Sequence, residues 1–144
     1  MRRPSFSSAL VLGVTSLLTA CNAEYKDVSN LYREAVGSVC EVKFPLNAYG
    51  VTVKLEKEKK TDLVVLSDLN LSGPEFTFST SLSTGTRLQV LAVRQCTNCP
   101  FETRIEYRVY VTPAPAQFTD KPVYLKAAPM SSGQLACKAA KSAA

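Results

Sequence analysis

Arg87-Leu88-Gln89-Val90-Leu91-Ala92-Val93-Arg94-Gln95-Cys96 and, after a short connection, Arg104-Ile105-Glu106-Tyr107-Arg108-Val109-Tyr110-Val111 are the stretches that decide the fold. In the second, Ile105, Tyr107, Val109 and Val111 fall on one side of a two-residue period, and Arg104, Glu106, Arg108 and Tyr110 fall on the other. Side chains alternate across a strand, so this is the pattern of a strand with one buried face. In the first stretch Leu88, Val90 and Ala92 share a face, with Leu91 and Val93 opposite. Two such runs joined by a short connection at residues 96–103 read as a long antiparallel hairpin.

Working outward, the same period recurs. From residue 39, Cys40, Val42, Phe44 and Leu46 lie on one side and Val39, Glu41, Lys43 and Pro45 on the other. Val51, Val53 and Leu55 alternate with Thr52, Lys54 and Glu56, as in a half-buried strand. Leu63-Val64-Val65-Leu66 is continuously apolar and reads as a strand buried on both faces. Phe76 and Phe78 alternate with Thr77 and Ser79; Ser72-Gly73-Pro74 and Ser83-Thr84-Gly85 carry turn chemistry. Pro113-Ala114-Pro115 ends the hairpin, and Val123-Tyr124-Leu125 is a last short strand. Short strands with turn signals between them predict an all-β domain over residues 39–126, a small antiparallel β-barrel or sandwich. Ser83-Thr84-Gly85-Thr86-Arg87-Leu88-Gln89-Val90-Leu91 is similar to the Gly-Thr turn and strand of bacterial SH3-like domains. The similarity spans one turn and one strand, and no site residue comes with it.

Outside this core the pattern weakens. Residues 21–38 are expected to form a tether or a short helix capped by Asp27, with Val28, Leu31, Ala35 and Val36 on one face and Gly37 as its stop. Residues 127–144 are rich in Ala, Ser and Lys, an expected tail in which Leu135 and Cys137 are the positions held to the domain.

The first twenty residues read as a signal peptide. Met1-Arg2-Arg3 is a basic start, and Ala9-Leu10-Val11-Leu12-Gly13-Val14-Thr15-Ser16-Leu17-Leu18 is an apolar run of signal-peptide length, too short to span a bilayer. It ends in Leu18-Thr19-Ala20-Cys21, which resembles the lipobox of bacterial lipoproteins. That resemblance implies a diacylglycerol on the Cys21 sulfur, cleavage between Ala20 and Cys21, and acylation of the new amino group. It further implies a membrane partner reached through the lipid, in the cell envelope. Asn22, where Asp would signal retention at the inner membrane, implies the outer membrane. Removal of residues 1–20 leaves 124 residues, one domain's worth, and lowers the formal charge from +5 to +3 by the loss of Arg2 and Arg3.

Four further cysteines, Cys40, Cys96, Cys99 and Cys137, are an even number in an exported chain and imply two disulfides. The preferred pairing is Cys96 with Cys99, clamping the hairpin tip, and Cys40 with Cys137, closing nearly the whole domain. The crossed pairing, Cys40 with Cys96 and Cys99 with Cys137, stays open. The sharper reading of Cys96-Thr97-Asn98-Cys99 is a redox CxxC. Its flanks read as strands rather than the helix N-terminus that activates such a thiolate, so thiol-disulfide oxidoreduction is the alternative function. A four-cysteine zinc site wants a second CxxC, which is missing.

The chain contains no histidine, which excludes histidine-based triads, His-ligated zinc or haem, and histidine general-base chemistry. No metal and no cofactor is expected. The charge run Lys54-Leu55-Glu56-Lys57-Glu58-Lys59-Lys60 reads as a solvated hairpin end, and no basic cluster with interleaved aromatics points to nucleic acid. Glu102 and Glu106 lie on one strand face near Arg104 and Arg108 and are expected in cross-strand ion pairs. Tyr110 and Tyr124 are the candidates for an exposed aromatic surface. The function expected is a non-enzymatic binding or structural module, lipid-anchored, with a protein or cell-envelope partner.

Overall fold

The computed structural model describes residues 23–54, 56–100 and 103–140. The nine strands are β1 (Tyr25–Asp27), β2 (Val39–Val42), β3 (Leu46–Val51), β4 (Leu63–Ser67), β5 (Phe76–Leu82), β6 (Arg87–Cys96), β7 (Ile105–Thr112), β8 (Val123–Lys126) and β9 (Leu135–Lys138). All join one sheet in the order β5-β3-β4-β8-β7-β6-β2-β9, with β1 paired to β6 beside β2. The fold is all-β.

Two bent strands give the sheet its shape. β2 and β3 are separated by residues 43–45 alone, yet they stand near opposite ends of the strand order. β5 and β6, separated by residues 83–86, do the same. The pairing register carries across this corner unbroken: Val39 faces Gln89, and seven residues later Leu46 faces Leu82. At the corner the Gly85 amide donates to the Val42 carbonyl (2.8 Å) and the Val42 amide to the Thr86 carbonyl (2.9 Å). Gly85 turns with φ +89°, a conformation that disfavours a side chain. The sheet must therefore curl round on itself, and one apolar core fills the curl. Its fully buried members include Leu46, Leu66, Leu82, Leu88 and Leu125, drawn from five different strands. Each Leu buried this way contributes about 1.5–3 kcal/mol relative to exposure.

The structure revises several expectations. The barrel or sandwich of antiparallel strands is a single curled sheet, and β4 and β8 run parallel, Val64 beside Val123. The strand expected at 51–56 lies earlier, at Leu46–Val51, and Val53 is exposed; Leu55 lies outside the described residues. Asp62 closes the loop after β3 by accepting the Val53 amide (2.7 Å). The corner also turns Phe44 outward, away from the core face of Cys40, Val42 and Leu46. Gly50, in β3, lies under the Phe78 ring, which a Cβ there would enter.

Both ends of the chain segment enter the sheet. Within the expected tether or helix at 21–38, the described residues, from 23 on, form β1 followed by a 3-10 turn over Ser29–Leu31. Asp27 accepts the Ser29 amide (2.7 Å) in a local turn, but the N-cap is Val28 without a side-chain cap bond, and Leu31 is 72% exposed, so neither the cap nor the helical face read from spacing forms. Val28 is buried and its amide donates to the Val93 carbonyl (2.9 Å). Gly37 ends this segment with φ +84°. At the other end, residues expected as a tail form a helical turn, α1 (Ala128–Ser131), with Pro129 in its first turn and buried, and then β9. The sheet therefore extends beyond 39–126 on both sides.

Candidate functional site

The β6–β7 hairpin forms with β8 on one side and β1 and β2 on the other. Its register shifts between Val90 and Ala92: Val90 faces Val109, Ala92 faces Arg108, and Leu91 is the extra residue. This β-bulge resets the alternation. Val93, expected opposite Leu88 and Val90, joins them in the core, while Leu91 is exposed. The bulge also sets Arg94 directly opposite Glu106.

Arg94 Nε and Nη2 donate to Glu106 Oε2 at 2.9 and 2.6 Å. The hydroxyl of Tyr25 donates to the other carboxylate oxygen (3.3 Å). The guanidinium carbon lies 3.8 Å from the Tyr25 ring centroid and 3.4 Å from that of Tyr124, so the cation is stacked between two rings. Glu106 is buried, 3% exposed, beneath this assembly. A buried carboxylate this well paired serves as an acceptor that holds strands together. Glu106 thus makes a cross-strand pair, with Arg94 of β6; Glu102 lies outside the described residues. Sequence reasoning missed Tyr25 and Arg94. Arg94 is paired with Glu106 only by the register shift at Leu91, which alternation alone does not mark.

The four domain cysteines form two disulfides, Cys40 with Cys137 and Cys96 with Cys99, the preferred pairing. Cys40 and Cys137 face each other across β2 and β9 with Cα atoms 3.9 Å apart, and Cys40 is fully buried in the core. Cys96 ends β6, opposite Tyr25 of β1, and is 5% exposed; Cys99 is half-buried in the tip loop. The flank of this CxxC is a strand. The chain's own N-terminal segment is bound here: the Thr97 amide and hydroxyl donate to the Glu24 carbonyl (2.8 and 3.2 Å), and the Glu24 amide donates to Asn98 Oδ1 (2.7 Å). Ala20 and Cys21 lie outside the described residues.

The outer face carries exposed apolar groups. Val39, Gln89 and Tyr110 stand in one cross-strand row, and Leu91 bulges beside it; Tyr110 is 62% exposed. Of the expected pair of Tyr110 and Tyr124, which share a sheet face, only Tyr110 is exposed; Tyr124 is half-buried and stacks on Arg94. Tyr110 instead borders an open cleft of about 540 Å³ between β7 and the loop before β8, with Arg108, Phe118, Asp120 and Lys121 among its walls.

Among the described residues, three ionisable groups depart from their ordinary behaviour. Hydrogen bonds from the Ser29 amide and hydroxyl hold the Asp27 carboxyl below the usual carboxylate range. The hydrogen bond from Lys43, and then its charge, do the same for Glu41. Burial, and then the neighbouring Tyr32, push the Tyr107 phenol up. None of the three lies with another in a cluster suited to proton transfer. No group of His, Cys, Asp and Glu among the described residues is placed to hold a metal ion. Among those residues no helix is long and apolar enough to cross a membrane. Comparison with protein-family models, with curated proteins and with solved structures finds no match to this chain.

Proposed function

We propose that this chain is a lipid-anchored protein of the cell envelope whose β-domain acts as a non-enzymatic binding or structural module. The lipid is on Cys21 after cleavage behind Ala20, and Asn22 directs the protein to the outer membrane. The observation that carries the reading is Leu18-Thr19-Ala20-Cys21, followed within a few residues by a disulfide-stapled domain. The use of the reactive groups supports it: the cysteines join strands or clamp a loop, and the buried carboxylate Glu106 is tied to Arg94. The row of Val39 and Tyr110, with Leu91 and the cleft beside it, is the surface best suited to a protein or envelope partner.

One observation favours the alternative, a thiol-disulfide oxidoreductase: Cys99 is partly accessible at the hairpin tip. Non-reducing peptide mass mapping, with alkylation before lysis, separates the two. The expected result is a diacylglycerol-modified Cys21 with Cys40, Cys96, Cys99 and Cys137 fully oxidised. Partial reduction of Cys96 and Cys99 in the cell replaces the binding reading with the redox one, and a Cys21 peptide of unmodified mass removes the anchor.

A further inference from the structure

We infer that the tip of the β6–β7 hairpin is the membrane-facing surface of this protein, held against the lipid headgroups with the β2–β3 corner turned away. The inference rests on the proposed lipid at Cys21. It concerns how short the link between lipid and domain is.

Anchored domains ride free of a bilayer only when slack chain separates them from the lipid. Here the slack is almost nil. Asn22 and Ala23 alone stand between Cys21 and Glu24. From Glu24 the chain is committed to the tip: its carbonyl accepts from the Thr97 amide and hydroxyl, its amide donates to Asn98 Oδ1, and Tyr25, Lys26 and Asp27 pair with Cys96, Gln95 and Arg94. Three residue steps, even fully extended, reach about 11 Å. The headgroup layer on one side of a bilayer is roughly 5–8 Å deep. A cysteine whose acyl chains are in the hydrocarbon therefore holds Thr97 and Asn98 at or just above the headgroups.

The pinned end is also built to keep its shape under that constraint. Cys96 and Cys99 are bonded across the tip, and the stacked Arg94 with Glu106 ties β1 to β6, β7 and β8 immediately above it. Thr97, Asn98, Pro100 and Thr103 are exposed there, as is Lys26 on β1. With the exposed carboxylate of Glu24 beside Lys26, these hydrogen-bonding, small and oppositely charged groups suit a zwitterionic headgroup layer. The opposite end of β6 lies nine residues away, roughly 30 Å along the strand. The corner residue Phe44, 64% exposed, belongs to that end: the Thr84 hydroxyl donates to the carbonyl of Lys43 beside it (3.3 Å).

The absence of tryptophan in the chain makes a direct test simple. Pro100→Trp and Phe44→Trp variants of the mature lipidated protein are placed in vesicles of phosphatidylethanolamine and phosphatidylglycerol, with or without brominated phosphatidylcholine. The lipid on Cys21 is verified by mass in the same samples. The tip reporter should lose emission about two-fold in brominated vesicles, because it sits within reach of the bilayer interface, and the corner reporter should lose none. Thr103→Trp should behave as Pro100→Trp, and it keeps the test open if one variant fails to fold. An unquenched tip on verified lipidated protein overturns the orientation and leaves the anchor standing; so does equal quenching at Phe44→Trp. A Cys21 without lipid overturns the orientation and the anchor together.

Discussion

The two ends of β6 are held by different physics. At the Arg87 end, alternate side chains are buried: Leu88 and Val90 pack with Cys40, Val42, Val109 and Val111 in the core, and the Cys40–Cys137 bond lies within the same layer. At the Cys96 end Val93 still packs in the core with Val28, Tyr107 and Leu125, and a polar layer is added to that burial. An ion pair, a cation between two tyrosine rings and hydrogen bonds to Glu24 hold β1, β6, β7 and β8 together. The bulge at Leu91 separates the two halves. Burial tolerates any apolar side chain of fitting volume, whereas the polar end needs particular partners in register. Damage at the two ends should differ in both size and cause.

The largest contrast lies between the disulfides. Cys40→Ala with Cys137→Ala opens a link spanning a sequence separation of 97, against 3 for Cys96→Ala with Cys99→Ala. In the chain-entropy model the first costs about 4–5 kcal/mol and the second about 2 kcal/mol. Urea unfolding midpoints should fall in that order, and β9 should lose hydrogen-exchange protection only in the first. Equal losses would break the comparison. Next in size is Glu106→Ala. It strands Arg94 in a site where its side chain is only 22% exposed, and should cost roughly 2–3 kcal/mol. Pairing Glu106→Leu with Arg94→Met should recover most of the loss, because the replacement is apolar on both sides. Failure to recover would mean that the pair does more than bridge strands. The smallest effect is expected for deletion of Leu91. Without it Val90, Ala92 and Val93 fall into plain alternation, so Val93 stays in the core and Arg94 stays opposite Glu106. Stability should change by less than about 1 kcal/mol, read from thermal unfolding, with the Arg94–Glu106 contact kept in NMR spectra. Loss of the contact would show that the bulge positions the polar end actively.

The same contrast explains what could be read in advance. The all-β class, the long hairpin, the turn at Gly85 and the presence of two disulfides were legible, because alternation, turn residues and cysteine count each reflect a local or compositional rule; the choice between the preferred and the crossed pairing needed the register of β2 and β9. The bulge was not, since Leu91, Ala92 and Val93 are all apolar and carry no mark of which one is extra. β3 was misplaced for a related reason. Ala48 and Gly50 are small, and Tyr49 on the opposite face is covered by a loop whose Leu69 carbonyl and Leu71 amide bond its hydroxyl at 3.0 and 3.1 Å. β1 and β9 escaped because strands of three or four residues carry too little alternation to mark themselves and form only when a distant edge is offered to them, β1 by β6 and β9 by β2. Of the candidate site, Cys96 and Cys99 and the exposure of Tyr110 could be anticipated. The stacking of Tyr25, Arg94 and Tyr124 needed the three-dimensional register.

The placement of β9 has a consequence in time. Of the nine strands it is made last, while β2, which it flanks, is made second. In chain order Cys40 therefore precedes its partner by most of the domain, and Cys96 and Cys99 lie between them. Those two are three residues apart, and chain ends that close find each other faster and at smaller entropic cost than distant ones. Their early union takes both out of circulation among the four domain cysteines. The small clip at the hairpin tip thus leaves Cys137, on the final strand, as the one domain cysteine open to Cys40.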